Sequence, residues 1–558
     1  MKKKLLLITT TSLMAISLTS CQIISDIINS AQGQQSTLPY GSQAVASSAE
    51  PIVDISTPPA DDIEAKPASK TYHNYIENNV YPLSATPTKG EAKLLVIPVW
   101  FNDSNKFIKE ANKDNVRQDI HDAYFGDIDS VGWESVESYY ETESLGTLEL
   151  TGTVSAWYEP DKSYTYYSTD PYDEDTGEGC PKTMALAESA TKWYFDNHTS
   201  EKRSDYDCDN DGYLDGVMLI YAAPDYATLN NQRYDNLWAY CYWVQDYSAQ
   251  NPNNPGVNAF FWASYDFMYG KEVASSRSGN RYYSGDTSHC KIDAHTFIHE
   301  MGHMFGLEDY YDYSSYAYAP AGGFSMQDHN VGGHDPFSVF ALGWGKAYVP
   351  AASAEINLRP FVTSGEMVIL SPNWNSFNSP FDEYLILEYY TNEGLNYYDA
   401  AHPYMDGLKE YPTGSQESGI RLWHVDSRLL YRSEDASYSA SQVTADPMLG
   451  GSYYVTLMMT NSYDDGGSDS SERISPLGSA YADYNQLQWI RNNKNTSHRS
   501  KTTLTNNYLF HKDDVFTMED YKKQFVNEGK LNSDSDLGFS FEVKELGEEY
   551  ATIAINKL

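Results

Sequence analysis

The sequence predicts a mixed α/β (α+β) domain followed by a β-sandwich-like domain, and three observations carry that expectation. Up to about Pro350, apolar runs of strand length alternate with segments of helical periodicity. Beyond it, strand-like runs are separated by Gly, Asn, Asp and Ser clusters, and long helical patterns are few. The 558 residues, 41% of them hydrophobic, exceed what one ordinary core holds and can fill two or three. No fixed-period repeat is visible, which disfavours solenoids and propellers.

The elements follow in order. Lys2, Lys3 and Lys4 precede an apolar run from Leu5 to Leu18, the layout of an export signal and too short for a comfortable membrane span. The run ends in Leu18-Thr19-Ser20-Cys21, which resembles the bacterial lipobox. Residues 1–20 are therefore the expected lipoprotein signal peptide and Cys21 the lipidation site. The protein is expected as an exported lipoprotein on the extracellular face of the membrane, touching it only through that anchor. From Gln22 to about Lys70 the composition is Ser, Ala, Pro, Thr and Gln, so residues 21–81 are read as lipid anchor and disordered tether. Residues 71 to 88 are either an inhibitory pro-segment or a plain approach to the first strand.

Residues 82–350 form the first predicted domain. "KLLVIPVWF" (Lys93 to Phe101) is a continuous apolar run, as expected of a central strand covered on both faces. A helix is expected from about Asn105 to Tyr124, and another at "ESVESYYETES" before the alternating strand "LELTGTVSAWY". "CPKTMALAESATKWYFDN" has helical spacing with Pro181 near its start, and "GVMLIYAA" (Gly216 to Ala223) is a second buried strand. Residues 351–558 are the second predicted domain, with strands at "EMVILS", "EYLILEYY", "GIRLWHVD", "YYVTLMM" and "YATIAINKL".

Charge excludes some partners. With 78 acidic against 38 basic side chains, the formal charge of -40 repels nucleic acid and anionic lipid, and no basic patch interrupts it. Cys180, Cys208, Cys241 and Cys290 could pair in three ways in an exported chain, and their spacing does not choose among them. None forms a Cys-x-x-Cys pair, which argues against a cysteine zinc site. Free buried thiols are the simpler reading.

The chemistry concentrates in "HEMGHMFGLED", residues 299 to 309. Phe297, Ile298, Met301, Met304 and Phe305 give the stretch from Asp293 to Gly306 helical spacing, so His299 and His303 lie one turn apart on one face. Two imidazoles so placed can reach one Zn²⁺, and Glu300 projects beside the metal as the base for an attacking water. A catalytic zinc takes three protein ligands. Gly306 lets the chain leave the helix, and Asp309 is the expected third ligand, with Glu308 its nearest competitor.

A second cluster, "DCDNDGYLD", places Asp207, Asp209, Asp211 and Asp215 at alternating positions of an EF-hand-type loop, with Gly212 at the turn and the Tyr213 carbonyl between. Met218 stands where a bidentate Glu would close the loop, so an incomplete structural Ca²⁺ site without sensor function is expected. His295 lies on the face of His299 and His303 but a turn further from the metal, so a place behind the ligands or at the surface is expected. His329, His334, His424 and Asp426 have no spacing rule behind them and are read as structural. Serine nucleophile elbows and phosphate-binding glycine loops are absent.

"HEMGHMFGLEDYYDY" resembles the His-Glu-x-x-His-x-x-Gly-x-x-Asp segment, followed by tyrosines, of the immune inhibitor A family of secreted bacterial metallopeptidases. The likeness runs over about residues 82 to 350, through "KLLVIPVWFND", "SVESYYETESLGTLELTGTVSAWY" and "DCDNDGYLDGVMLIYA", and more weakly into "EYLILEYY" and "GIRLWHVD". The resemblance implies a metzincin-like fold, zinc and hydrolysis of peptide bonds in extracellular or host proteins. It also implies a methionine turn beneath the zinc. The family often reads Trp-Asp-Leu-Met-Asp there, against Phe324-Ser325-Met326-Gln327-Asp328 here. Met326 is the expected base of the site, one residue early, with Gln327 in the usual methionine place and a plain core methionine as the alternative.

The expectation is thus a monomeric, surface-anchored zinc endopeptidase of extracellular proteins. Its rival is an inactive, calcium-stabilised adhesin or glycan- or protein-binding lipoprotein on a peptidase scaffold. The intact Glu300 argues against the rival, because a scaffold kept for binding has no chemical need of that carboxylate.

Overall fold

Order starts earlier than the composition suggests. Strand β1 (Lys66–Pro67) pairs with Lys346 and Ala347, and Tyr72 is buried, its ring edge-on to Phe337 and Phe381. The tether expected to run to residue 81 therefore includes a docked stretch. Pro67 is tolerated because β1 is an edge strand, where a missing N–H costs no ladder bond. The computed structural model describes residues 63–73, 85–131, 133–169, 180–226, 228–231, 236–244, 247–269, 292–312, 319–401, 414–432, 438–442, 454–462, 481–503 and 506–558. The expected signal peptide, Cys21 and Cys290 lie outside these residues.

The N-terminal half is built on five strands. β2 (Gly90–Val99) has β3 (Leu148–Val154) and β4 (Gly216–Tyr221) as parallel neighbours. At the far edge β5 (Tyr240–Trp243) runs antiparallel to β6 (Ala259–Ser264), which is itself parallel to β4. Every residue of β4 and β6 is buried, as unbroken apolar runs in a covered parallel sheet should be.

Among the described residues, four longer helices pack on this sheet. The expected helix from Asn105 begins only at Lys113, as α1 (Lys113–Phe125), because Lys109 is extended (φ -64°, ψ 140°) and breaks the run into short turns. α2 (Val136–Glu143) starts on a reciprocal cap in which Ser135 and Ser138 each accept the other's backbone N–H. α3 (Pro181–Asn197) begins with its proline, where the missing donor is harmless. α4 (His295–Met304) is buried at all ten positions.

The C-terminal half is β-rich. One sheet has the order β1, β7 (Lys346–Tyr348), β9 (Glu366–Leu370), β10 (Glu383–Tyr390), β11 (Gly419–Asp426) and β15 (Leu487–Ile490). A second joins β8 (Ala354–Leu358) to β18 (Ala551–Lys557), β17 (Phe539–Leu546) and β16 (Val515–Phe516). β12 (Leu429–Arg432), β13 (Tyr438–Gln442) and β14 (Tyr454–Leu457) make a small third sheet. Side chains alternate across β10: Leu385 and Leu387 share a core with Ile356, Phe541 and Ile553, whereas Tyr384 and Ile386 join the core of the N-terminal half. One face of the six-stranded sheet therefore shares a core with the four-stranded sheet and the other shares one with the N-terminal half. Among the described residues no helix is long and apolar enough to cross a membrane.

Candidate metal centre

α4 delivers both histidines, and its ends determine how they point. Gly306, with φ +100°, turns the chain off the helix, and the Leu307 carbonyl of that turn accepts from His303 Nδ1 at 2.8 Å. His299 Nδ1 donates to the Met326 carbonyl at 2.7 Å. With both Nδ1 positions engaged to carbonyls, Nε2 is the nitrogen that each ring, when neutral, offers to a cation. They nevertheless sit 3.2 Å apart, and Asp309 Oδ1 lies 3.0 Å from His299 Nε2 and 3.3 Å from His303 Nε2.

Three electron-rich atoms gathered in this way call for a cation at their centre. Metal–ligand bonds of about 2.0–2.1 Å in a tetrahedron require edges of roughly 3.3 Å, which is close to the triangle observed. The residues present thus fit Zn²⁺. Asp309 is fully buried and, with His299 and His303, forms the cluster; Glu308 does not join it. Burial works against charge on Asp309, but His303 and then His299 outweigh it and hold the carboxyl well below its usual range. Burial likewise opposes charge on His303, and without a cation Asp309 outweighs it, raising the ring to about 9, so a metal bound here would displace that proton.

Glu300 is buried beside this cluster. Burial pushes its carboxyl up, and His303 and His299 partly pull it back. Its backbone carbonyl accepts from Cys241 Sγ at 2.9 Å. Among the described residues Cys208 and Cys241 are free thiols.

Met326 and Gln327 divide the part that the sequence assigned to Met326. Both are buried, and Met326 supplies the carbonyl that orients His299. It is the Gln327 side chain, however, that lies against the zinc helix, so close that a Cβ on Gly302 would meet its Oε1 at 2.1 Å. The physical reason is steric: only a glycine between the two ligands leaves room for this amide.

The other candidates are placed as follows. His295 is buried behind the ligands, its ring stacked on Trp133 at 4.3 Å and flanked by Asp293 and Asp399. His329 pairs with Asp328, and His334 Nε2 lies 3.3 Å from the Tyr140 hydroxyl. His424 pairs with Glu383, and Asp426 with Arg428, all within the C-terminal half. None of these belongs to the metal triangle.

In the acidic loop, carboxylate oxygens of Asp207, Asp209 and Asp215 converge to within 4.8 Å of one another. Gly212 takes φ +90° at the turn. Asp211 and Tyr213 stand outside the converged set, because Asp211 Oδ1 accepts from Tyr213 N at 2.7 Å to shape the loop. Burial, with Asp209 adding repulsion, raises Asp207 to about 6 and Asp211 and Asp215 to about 7.

Several residues around the site carry no motif. Glu143 is pushed to about 8 by burial and accepts from His334 N at 3.0 Å. Arg421 pairs with Glu388 at 2.7 Å and reaches the Phe324 carbonyl at 3.2 Å. Opposite charges at the centre of two largely apolar strands, "EYLILEYY" and "GIRLWHVD", were the available signal for it.

Residues 84–326 match the family model described as immune inhibitor A peptidase M6, catalytic domain. No curated protein matches the chain. The matched segment contains all three side chains of the triangle. Residues 84–326 are thus similar to the catalytic domain of the immune inhibitor A peptidase M6 family, and that match together with the His/His/Asp cluster supports zinc-dependent peptidase activity.

Proposed function

We propose that the protein is a surface-anchored endopeptidase cleaving extracellular proteins, with His299, His303 and Asp309 as zinc ligands and Glu300 as general base. The observation that carries the reading is the triangle of two imidazole Nε2 atoms and one carboxylate oxygen with edges of 3.0 to 3.3 Å. Zinc held there polarises a scissile carbonyl and makes water more acidic. Glu300 takes a proton from the attacking water as its oxygen bonds to the carbonyl carbon. It then gives that proton to the amine that leaves when the C–N bond breaks. The buried surroundings of Glu300 exclude bulk water from this exchange.

The test is Glu300→Gln. Zinc content should stay at one ion per chain, while cleavage of casein or a peptide library falls by roughly 10²–10⁴-fold, the usual contribution of a general base. Cleavage at the unaltered rate would sink the mechanism.

The acidic loop supports a structural Ca²⁺, held by Asp207, Asp209 and Asp215 with Asp211 and Tyr213 shaping or completing the loop. Its support is that Asp207 Oδ1, though buried, has no hydrogen-bond partner, as an oxygen reserved for a cation would. Thermal stability with and without calcium checks it. The lipobox resemblance at Cys21 supports anchoring at the outer membrane face and hence extracellular protein substrates for a monomeric enzyme.

A further inference from the structure

Both attachments of His299, its helix and the carbonyl that orients its ring, lead to one carboxylate outside the family-matched segment. Asp399 lies in the short helix Asn396–Ala401 of the C-terminal half and is fully buried. Both its oxygens lie 3.2 Å from Nε2 of His295, which sits one turn before His299 on α4. Its Oδ2 also accepts from Gly332 N at 2.6 Å. The next carbonyl, that of Gly333, accepts from Met326 N at 3.3 Å, and the Met326 carbonyl accepts from His299 Nδ1. Asn396, from the same short helix, accepts from Gly333 N at 3.1 Å.

One carboxylate therefore closes a ring of contacts: Asp399 to His295, along α4 to His299, across to Met326, and back through Gly333 and Gly332. We propose that Asp399 is a positioning residue of the zinc site, setting the ring of His299 through both the helix and the loop that carries Met326. The proposal rests on the reading of His299 as a zinc ligand.

The charge balance around His295 supports it. A cation in the first turn of a helix is unfavourable against the helix dipole and needs compensation. Burial also opposes the charge, yet Asp399 and then Asp293 outweigh it and raise the ring to about 10. With carboxylates at both ring nitrogens, His295 donates from both, which fixes its plane against Trp133. Outer partners that orient a ligand typically change metal affinity or activity by about 10–100-fold when removed.

The experiment uses the full chain with Asp399→Ala and Asp399→Asn. Zinc release to a graded chelator, kcat and KM on one peptide, and the absorption spectrum of the cobalt-substituted protein are measured for each. Asp399→Ala should release zinc at about tenfold lower chelator and lose about 10–100-fold in kcat, with KM within about twofold and an altered cobalt spectrum. Asp399→Asn keeps an oxygen for Gly332 N but not the charge for His295, and should fall between. Wild-type zinc retention and kcat in the folded variants would overturn the proposal while leaving the zinc reading intact. If Asp399→Ala does not fold, Asp399→Asn decides on the same measurements. A wild-type chain that neither retains zinc nor cleaves peptides would overturn the zinc reading, and this proposal with it.

Discussion

A methyl group added at Gly302 would lie 2.1 Å from Gln327 Oε1, in a place where neither side chain has solvent to retreat into. Gly302→Ala should therefore behave as overpacking rather than as a helix-stabilising change, although alanine favours helices by about 1 kcal/mol over glycine. We expect a net destabilisation of about 1–3 kcal/mol, read from chemical denaturation, together with weaker zinc retention because Gln327 must move beside His303. Unchanged stability would show that the amide can rotate away freely. At this scale the histidines, Glu300 and Asp309 were legible, since a helical turn and a glycine exit decide their mutual positions. Gln327 was not, because nothing local indicates which of two adjacent buried residues turns toward the helix.

The acidic loop shows what one element can do for the sheet beside it. Asp215 immediately precedes β4, and its carboxylate accepts from Lys93 N of β2 at 2.7 Å and from Cys208 N at 2.9 Å. A cation held by Asp207, Asp209 and Asp215 would thus brace the junction of two central strands. Calcium at a hundredfold excess over its Kd adds about 2.7 kcal/mol, which corresponds to a rise of several degrees in Tm. Calcium added to chelator-treated, zinc-replenished protein should produce that rise, and Asp207→Asn should abolish it. A Tm indifferent to calcium would leave the loop as a polar turn. Most strands and helices were legible from periodicity and turn residues. The late start of α1 was not, because Lys109 adopts an extended backbone that its own residue type does not require.

Across the whole molecule, the two halves are joined by aromatic contacts as well as by Asp399 and Arg421. Tyr72 meets Phe381 at 5.4 Å, Phe324 meets Tyr390 at 6.0 Å and Phe340 meets Trp374 at 6.3 Å. Exposing side chains of this size costs about 1.5–3 kcal/mol each, and a few such losses rival the whole stability of a domain, about 5–15 kcal/mol. A fragment ending at Pro350 should consequently be insoluble or fail to unfold cooperatively, and should not retain zinc. A soluble, zinc-loaded fragment with the Tm of the full chain would refute that dependence.

Spacing along the chain was enough to bring His299, His303 and Asp309 together with Glu300 beside them, because a helix repeats every 3.6 residues and a glycine exit has a short reach. The same locality revealed the acidic loop and the apolar strands. Packing alone brought Asp399 to His295 and Arg421 to the Phe324 carbonyl, contacts across 104 and 97 residues. No periodicity encodes such pairings, since they arise where one face of a sheet meets a helix it did not grow from. It is there, in the burial of a β-rich half against the catalytic half, that a metal-binding helix acquires its surroundings.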